Sequence, residues 1–353
     1  MTKTLIFKDD AWSIWRHSGI PPDVMEFLDS VAWGNEGAVY EHKNTAEHVP
    51  FFPNPALVTL NDRDDRVQGT AVFVNYPIQA GKASYNSWYV RYFAASKEIR
   101  GKGVIKEYAP RVMEAIRVNE ERKSVFFAMV EKDNKASRNI VEKAGYRPIA
   151  VMKTQGFSRF FPRPYHLIER IDTEKGKAEV LALLRKQYEN HSLVHFNALF
   201  MHDNYFVVRE RGEIVAGCQM HRVHWVVNSM PGLMGRIIMR ILPHIPLLNR
   251  LFNPRRFEFL AFEGLYFKPG KERKLLRLFE GLLAREKLNS GMYWGGATCP
   301  YRKQLLRAAP MGLLHLFVKD SDSSIMASFK GLSEEEIADL RVRPMYVSAF
   351  DFT

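Results

Sequence analysis

Tyr89-Val90-Arg91-Tyr92-Phe93-Ala94-Ala95, followed after three residues by Ile99-Arg100-Gly101-Lys102-Gly103-Val104, is the stretch from which the fold can be read. The first run is rich in β-branched and aromatic residues and predicts a strand. After the second, Val104, Ile105, Tyr108, Val112, Met113 and Ile116 recur at helical spacing. A strand therefore ends in a basic glycine turn that opens a helix. Such a turn aims unpaired backbone N–H groups and the positive end of the helix dipole at one point, which suits it to a phosphate or pyrophosphate. Gly101 and Gly103 let an anion approach the backbone closely, and Arg100 and Lys102 add charge at its mouth.

Downstream, Ser124-Val125-Phe126-Phe127-Ala128-Met129-Val130 reads as a buried strand. Asp133 or Asn134 is placed to cap a helix that Gly145 ends, with Tyr146 opening a further strand. These residues resemble the core of the GNAT superfamily of acyl-CoA-dependent N-acyltransferases. The family's Arg/Gln-x-x-Gly-x-Gly/Ala turn is matched by Arg100-Gly101-Lys102-Gly103-Val104-Ile105. Its Asn-x-x-Ala-x-x-Leu-Tyr-x-Lys-x-Gly-Phe helix is matched by Asn134, Ser137, Ile140, Val141, Lys143, Gly145 and Tyr146. Two positions depart from the pattern: Ile105 replaces a small residue, and Val141 replaces the tyrosine that in many relatives protonates the departing thiolate.

The resemblance implies an α/β fold, with a mixed sheet flanked by helices, in which acyl-CoA (acetyl-CoA or another) is the co-substrate. It implies that Phe93, Ala94 and Ala95 pair their backbone with the pantetheine arm. Arg100, Gly101, Lys102, Gly103, Val104 and Ile105 then hold the pyrophosphate, with Asn134 and Ser137 on the far side. The acceptor amine must lose a proton before it attacks a thioester. Glu131, after the fifth strand of the family's fold, and Tyr92, on the fourth, are the catalytic candidates.

At 353 residues the chain is long enough for two domains. With 46% hydrophobic and 25% charged residues it reads as globular. Two cysteines, Cys218 and Cys299, exclude a disulfide scaffold and a cysteine-based zinc site and fit a cytoplasmic protein. The N-terminal residues lack an apolar core of signal-peptide length, and no uninterrupted stretch suggests a membrane span. The net charge of +12 is shared by both halves. Without an arginine-rich helix or a basic–aromatic repeat, it predicts no nucleic-acid binding. No histidine array suggests a metal, since His221 and His224 fall on opposite faces of a strand. No Gly-x-Ser-x-Gly elbow supports serine hydrolysis.

The order β-α-β-β-β-α-β-α-β is expected to be complete by about Met152, with a hairpin around Asp62-Arg63-Asp64-Asp65 and a kink at Pro110. The loop-rich residues 34–55 read equally as a lid or as part of an acceptor pocket. The second half repeats the first: a helix at 178–188, a hairpin at 204–217, a strand at 257–267, Lys268-Pro269-Gly270-Lys271 where the glycine turn stood, then helix, strand and helix. This predicts two GNAT-like domains in tandem, a catalytic one at 1–156, a linker at 157–172 and a degenerate one at 173–353. The copy has one glycine in its turn, and Pro269 has no N–H to donate, so a single CoA site is expected in the first half.

Residues 223–257 form an insertion whose centre, Met230 to Phe252, is apolar and punctuated by arginines. Because Pro243 and Pro246 interrupt a long helix, the segment is expected to fold against protein, without stable membrane association. The function expected is transfer of an acyl group, acetyl by preference, to a small-molecule or peptide amine. A non-catalytic acyl-CoA-binding or scaffolding protein is one alternative. An aminoacyl-tRNA-dependent transferase is another, from a group that also pairs GNAT-like folds but normally lacks the Arg-x-x-Gly turn.

Overall fold

A computed structural model describes residues 2–34, 37–318 and 321–352, and of Met234 the backbone alone. Its strands in chain order are β1 (Lys3–Lys8), β2 (Ser13–His17), β3 (Val39–His42), β4 (Pro55–Asn61), β5 (Val67–Ala80), β6 (Ala83–Ala95) and β7 (Ser124–Glu131). They continue with β8 (Arg147–Ser158), β9 (Ile168–Arg170), β10 (Tyr205–Glu210), β11 (Glu213–Ser229), β12 (Phe257–Phe267), β13 (Ser290–Gly296) and β14 (Asp322–Lys330). The chain forms two compact units, neither of which is a continuous stretch. One comprises residues 1–78, 83–151 and 323–342, the other 79–82, 152–322 and 343–353. The sequence reading divides the chain once, at 157–172. In the structure the passage falls earlier, inside β8 between Val151 and Met152, and the last strand and helix return to the first unit.

In the first unit the strands neighbour one another in the order β1-β2-β4-β5-β6-β7-β14. β2 is absent from the sequence reading. It forms because the Asp9 carboxylate accepts the N–H groups of Ala11 and Trp12, both at 2.8 Å, and so turns the chain back on β1. The Asp62 turn forms as expected, with its carboxylate accepting from the backbone of Asp64 and Arg66. β6 and β7 are parallel and are linked through the helix Val104–Val118, which continues past Pro110. That helix packs Tyr108, Val112, Met113 and Ile116 into one core with Phe126, Ala128 and Met326. β7 is a near-continuous apolar run because it is covered on both faces. Its other edge pairs antiparallel with β14, residue by residue from Ser323↔Glu131 to Lys330↔Ser124.

The second unit orders its strands β8-β13-β12-β11-β10-β9. β12 and β13 are parallel, and the helix Glu272–Glu286 between them buries Leu275, Leu278, Phe279 and Leu282. Phe279 stacks on Phe262 at 4.0 Å. β8 pairs antiparallel with β13 from Met152↔Gly296 to Ser158↔Ser290. Each unit's sheet is thus completed by a strand from the other half of the sequence. Within the insertion, β11 runs to Ser229 and is followed by the helix Gly232–Ile241 and the short helix Pro246–Asn249. The longer helix buries Gly235 and Ile238, but Leu233, Ile237 and Ile241 are exposed. The segment thus packs on protein through one face, as expected, and leaves a second face in solvent. Among the described residues no helix is long and apolar enough to cross a membrane.

Candidate functional site

The pairing of β6 with β7 runs from Asn86↔Ser124 to Val90↔Ala128 and stops. Beyond it β6 carries Arg91 to Ala95 and β7 carries Met129 to Glu131, so the two parallel strands end in a gap. Tyr92 sits at its start with a φ of +49°, an uncommon conformation for an aromatic residue. The Tyr92 carbonyl accepts the Thr70 hydroxyl at 3.0 Å, tying this irregular point to β5. Phe93, Ala94 and Ala95 follow on β6, past the last residue paired with β7.

The chain then turns through bonds from Arg100 N–H to the Ser96 carbonyl and from Lys102 N–H to the Ile99 carbonyl, both 3.1 Å. Gly101 and Gly103 have φ values of +79° and +84°, and nothing lies within 4 Å of where a Cβ would stand on either. Gly103 is the N-cap of the helix Val104–Val118, and no side chain caps it. The first-turn N–H groups lack intrahelical partners, and no side-chain cap takes their place. Arg100 is exposed, with its guanidinium 3.3 and 3.4 Å from the carbonyls of Ala32 and Ala95. Ile105, the departure from the small-residue pattern, is accommodated by Gly69 of β5: a Cβ there would stand 3.0 Å from Ile105 Cδ1. The bulk of Ile105 thus rests on bare backbone in the core.

Asn134 caps the helix Lys135–Lys143, with its Oδ1 accepting the Ser137 N–H at 3.0 Å. That bond commits both groups to the helix end. Val141 is buried in the core with Tyr146, so the position of the family tyrosine contributes packing here.

Glu131 ends β7 and accepts the Tyr40 hydroxyl at 3.1 Å. Burial pushes its carboxyl above the ordinary glutamate range, the Tyr40 hydrogen bond opposes this, and Asp133 adds to the rise. Tyr40 stacks on His42 at 5.4 Å, His42 lies 5.9 Å from Trp33, and Trp33 lies 5.5 Å from Tyr92. The two catalytic candidates from separate strands are thus joined by one continuous run of side chains. Burial pushes His42 down to about 3, with Arg91 adding to the shift, so its imidazole is neutral near pH 7. The buried Arg91 places its guanidinium 4.2 Å from the Phe52 ring and 4.6 Å from the Tyr92 ring, and donates to the Tyr92 hydroxyl at 3.3 Å. Tyr40, His42 and Phe52, from the loop-rich segment before β4, therefore supply a wall beside the gap. Sequence reasoning did not name Tyr40, His42 or Arg91; the alternation Tyr40-x-His42 in a strand was the available signal.

In the second unit the parallel pairing of β12 and β13 also stops early, at Phe262↔Tyr293, and Gly264 has a φ of +55°. Here the chain itself fills the gap. Gly296 N–H donates to the Met345 carbonyl at 3.3 Å. The buried Glu263 carboxylate accepts from the Phe350 N–H at 3.1 Å and the Tyr346 hydroxyl at 3.4 Å, and lies 3.2 Å from His221 Nε2. The turn after β12 is occupied as well: Gly270 N–H donates to Glu272 at 3.1 Å. Lys271 and Lys274 pair with Glu210 at 2.5 and 2.8 Å, and Lys268 pairs with Glu213 at 2.6 Å. By contrast, no carboxylate pairs with Arg100 or Lys102 among the described residues. No group of three His, Cys, Asp or Glu among the described residues is arranged to hold a metal ion.

No protein-family model matches the sequence, and neither does any curated protein. Solved structures do resemble it. A Saccharomyces cerevisiae N-myristoyltransferase with bound myristoyl-CoA aligns with a TM-score of 0.57 at 9% identity, covering 97% of this chain and 90% of that one. A second structure described as S. cerevisiae N-myristoyltransferase with bound myristoyl-CoA gives 0.58 at 10% identity, covering 91% and 80%. At such identities the likeness is one of fold: nearly the whole chain follows the α/β architecture of these structures, strands in a mixed sheet with flanking helices.

Proposed function

We propose that this protein is an acyl-CoA-dependent N-acyltransferase with one CoA site, in the first unit. The observation that carries the reading is the gap beyond Val90↔Ala128, together with the open, uncapped helix start at Gly103 beside it. An extended pantetheine arm finds strand backbone at Phe93 to Ala95 that β7 does not pair. The pyrophosphate finds the N–H groups of the turn. Arg100 and Lys102 supply screening charge.

In the reaction, Glu131 takes a proton from the acceptor amine, directly or through water, and the freed nitrogen lone pair attacks the thioester carbonyl. The tetrahedral intermediate loses the second nitrogen proton to water and collapses with cleavage of the C–S bond. With Val141 in the core, the sulfur leaves as thiolate, which a thiol pKa of roughly 8.5 permits near neutrality. Tyr92 and Arg91 form the wall against which the acyl group is positioned. We take acetyl as the preferred group, because Trp33 and Phe52 both pack on Tyr92 beside the gap. The acceptor is a small-molecule or peptide amine, nucleic acid is not a partner, and the free cysteines Cys218 and Cys299 fit the cytoplasm. The N-myristoyltransferases carry myristoyl-CoA, so the acyl chain is the point to test.

Titration calorimetry with CoA, acetyl-CoA and longer acyl-CoAs, followed by thiol release with a panel of amines, addresses both claims. Tightest binding and fastest release are expected with acetyl-CoA. Preference for long chains would overturn the acetyl assignment. Absence of any CoA binding would overturn the function.

A further inference from the structure

The insertion of the second unit presents an apolar surface that nothing in the reaction uses. On the helix Gly232–Ile241, the spacing of Leu233, Ile237 and Ile241 puts all three on one stripe. They are 70%, 38% and 49% exposed. Leu247 of the following short helix is 42% exposed, and Phe161 69%. Phe161 lies beneath the guanidinium of Arg250 at 5.8 Å. The same helix buries Ile238, so its inner face already satisfies packing. The outer stripe is a second apolar face, of the kind that marks an interaction surface.

Charge identifies what that surface meets. Between Glu213 and Glu258 the sequence contains no acidic residue, while Arg222, Arg236, Arg240, Arg250, Arg255 and Arg256 all fall there. Arg222 and Arg256 pair with Glu258, and Arg236, Arg240 and Arg255 have no carboxylate partner among the described residues. Beside the stripe, an open cavity of about 350 Å³ is lined by Arg240, His244 and Arg255 over Val227, Met239 and Pro243. Two unpaired guanidinium groups over an apolar floor form a receptor for a phosphate joined to hydrocarbon. A second copy docked face to face would set arginine against arginine with no carboxylate between them.

We propose that this face docks on an anionic phospholipid bilayer: Leu233, Ile237 and Ile241 enter the acyl boundary, and Arg240 and Arg255 take a headgroup phosphate in the cavity. Short helices with apolar side chains below and arginines at the rim are suited to lie in the interface plane. This docking is independent of the acyltransferase reading, since it involves none of its residues.

The test is flotation of the full chain with vesicles of equal parts phosphatidylglycerol and phosphatidylcholine, against phosphatidylcholine alone, at physiological salt. Wild type is expected to favour the anionic vesicles by about tenfold. Leu233→Asp with Ile241→Asp is expected to lower binding about tenfold with an unchanged thermal midpoint. Leu233→Ser with Ile241→Ser serves should the aspartates prevent folding. Arg240→Gln with Arg255→Gln is expected to bring anionic binding down to the phosphatidylcholine level. No flotation of wild type overturns the proposal, as does undiminished flotation of the folded Leu233/Ile241 variants. Saturable binding of glycerol phosphate without flotation would assign the cavity to a soluble phosphate and overturn the docking. A concentration-dependent dimer abolished by the Leu233/Ile241 substitutions, without flotation, would assign the face to a second copy and overturn it too.

Discussion

Glu131 sits where two opposing influences act on one carboxyl: burial raises its pKa, and the hydroxyl of Tyr40 holds it down. A general base must be deprotonated, so activity rises with pH through that pKa, and a raised value displaces the acid limb above the ordinary glutamate range. Tyr40→Phe removes the group that stabilises the carboxylate, so the limb is expected to move further towards alkaline pH. Glu131→Gln is expected to abolish the limb and slow turnover by about 10²–10⁴-fold. A pH–rate profile of kcat/KM for the three proteins checks this; persistence of the same limb in Glu131→Gln would assign the base elsewhere. Glu131 was legible in the sequence because it ends a strongly patterned strand. Tyr40 was not, because its hydrogen bond reaches across 91 residues and leaves no local signature. Asn134 was legible as a helix cap, and its Oδ1 serves as one by accepting the Ser137 N–H.

At the scale of elements, local periodicity located most strands and helices, but pairing between distant segments lay beyond its reach. The strand–turn–helix around Gly103 was readable because the fold-defining residues adjoin one another. β14 was not read at all, although its Ile325 and Met326 are fully buried, because a short apolar run near the end of a chain does not announce its neighbour. Its place on β7, nearly two hundred residues earlier, is set by a shared core: Met326 packs with Phe126, Tyr108 and Ile116. Met326→Ala is accordingly expected to cost about 2–5 kcal/mol through lost burial and a residual cavity. Chemical denaturation would measure it. A loss within about 0.5 kcal/mol, the size of an ordinary surface substitution, would mean that β14 contributes little to holding the first unit's core together.

For the whole molecule, the two units carry unequal turns after β6 and β12, and physical reasons can be given for the inequality. In the first unit, glycines at positive φ stand in open space at an uncapped helix start. In the second, the corresponding Gly270 N–H is taken by Glu272, and the surrounding lysines are paired with Glu210 and Glu213. An anion arriving there would have to displace carboxylates already in place, and the strand gap behind it holds Met345, Tyr346 and Phe350. One CoA per chain is therefore expected from calorimetric titration. Gly103→Glu should remove binding, because it sets a negative side chain where the pyrophosphate belongs and strains a residue with a φ of +84°. Gly270→Glu carries a similar penalty of positive φ, +78°, with equally open space around its Cβ position, so the two substitutions are matched in backbone strain. Its affinity for CoA should equal that of wild type, and the thermal midpoints of the two variants should fall together. A stoichiometry of two, or a parallel loss of affinity in both variants, would place a second working CoA site in the second unit and require its own chain segment to move aside.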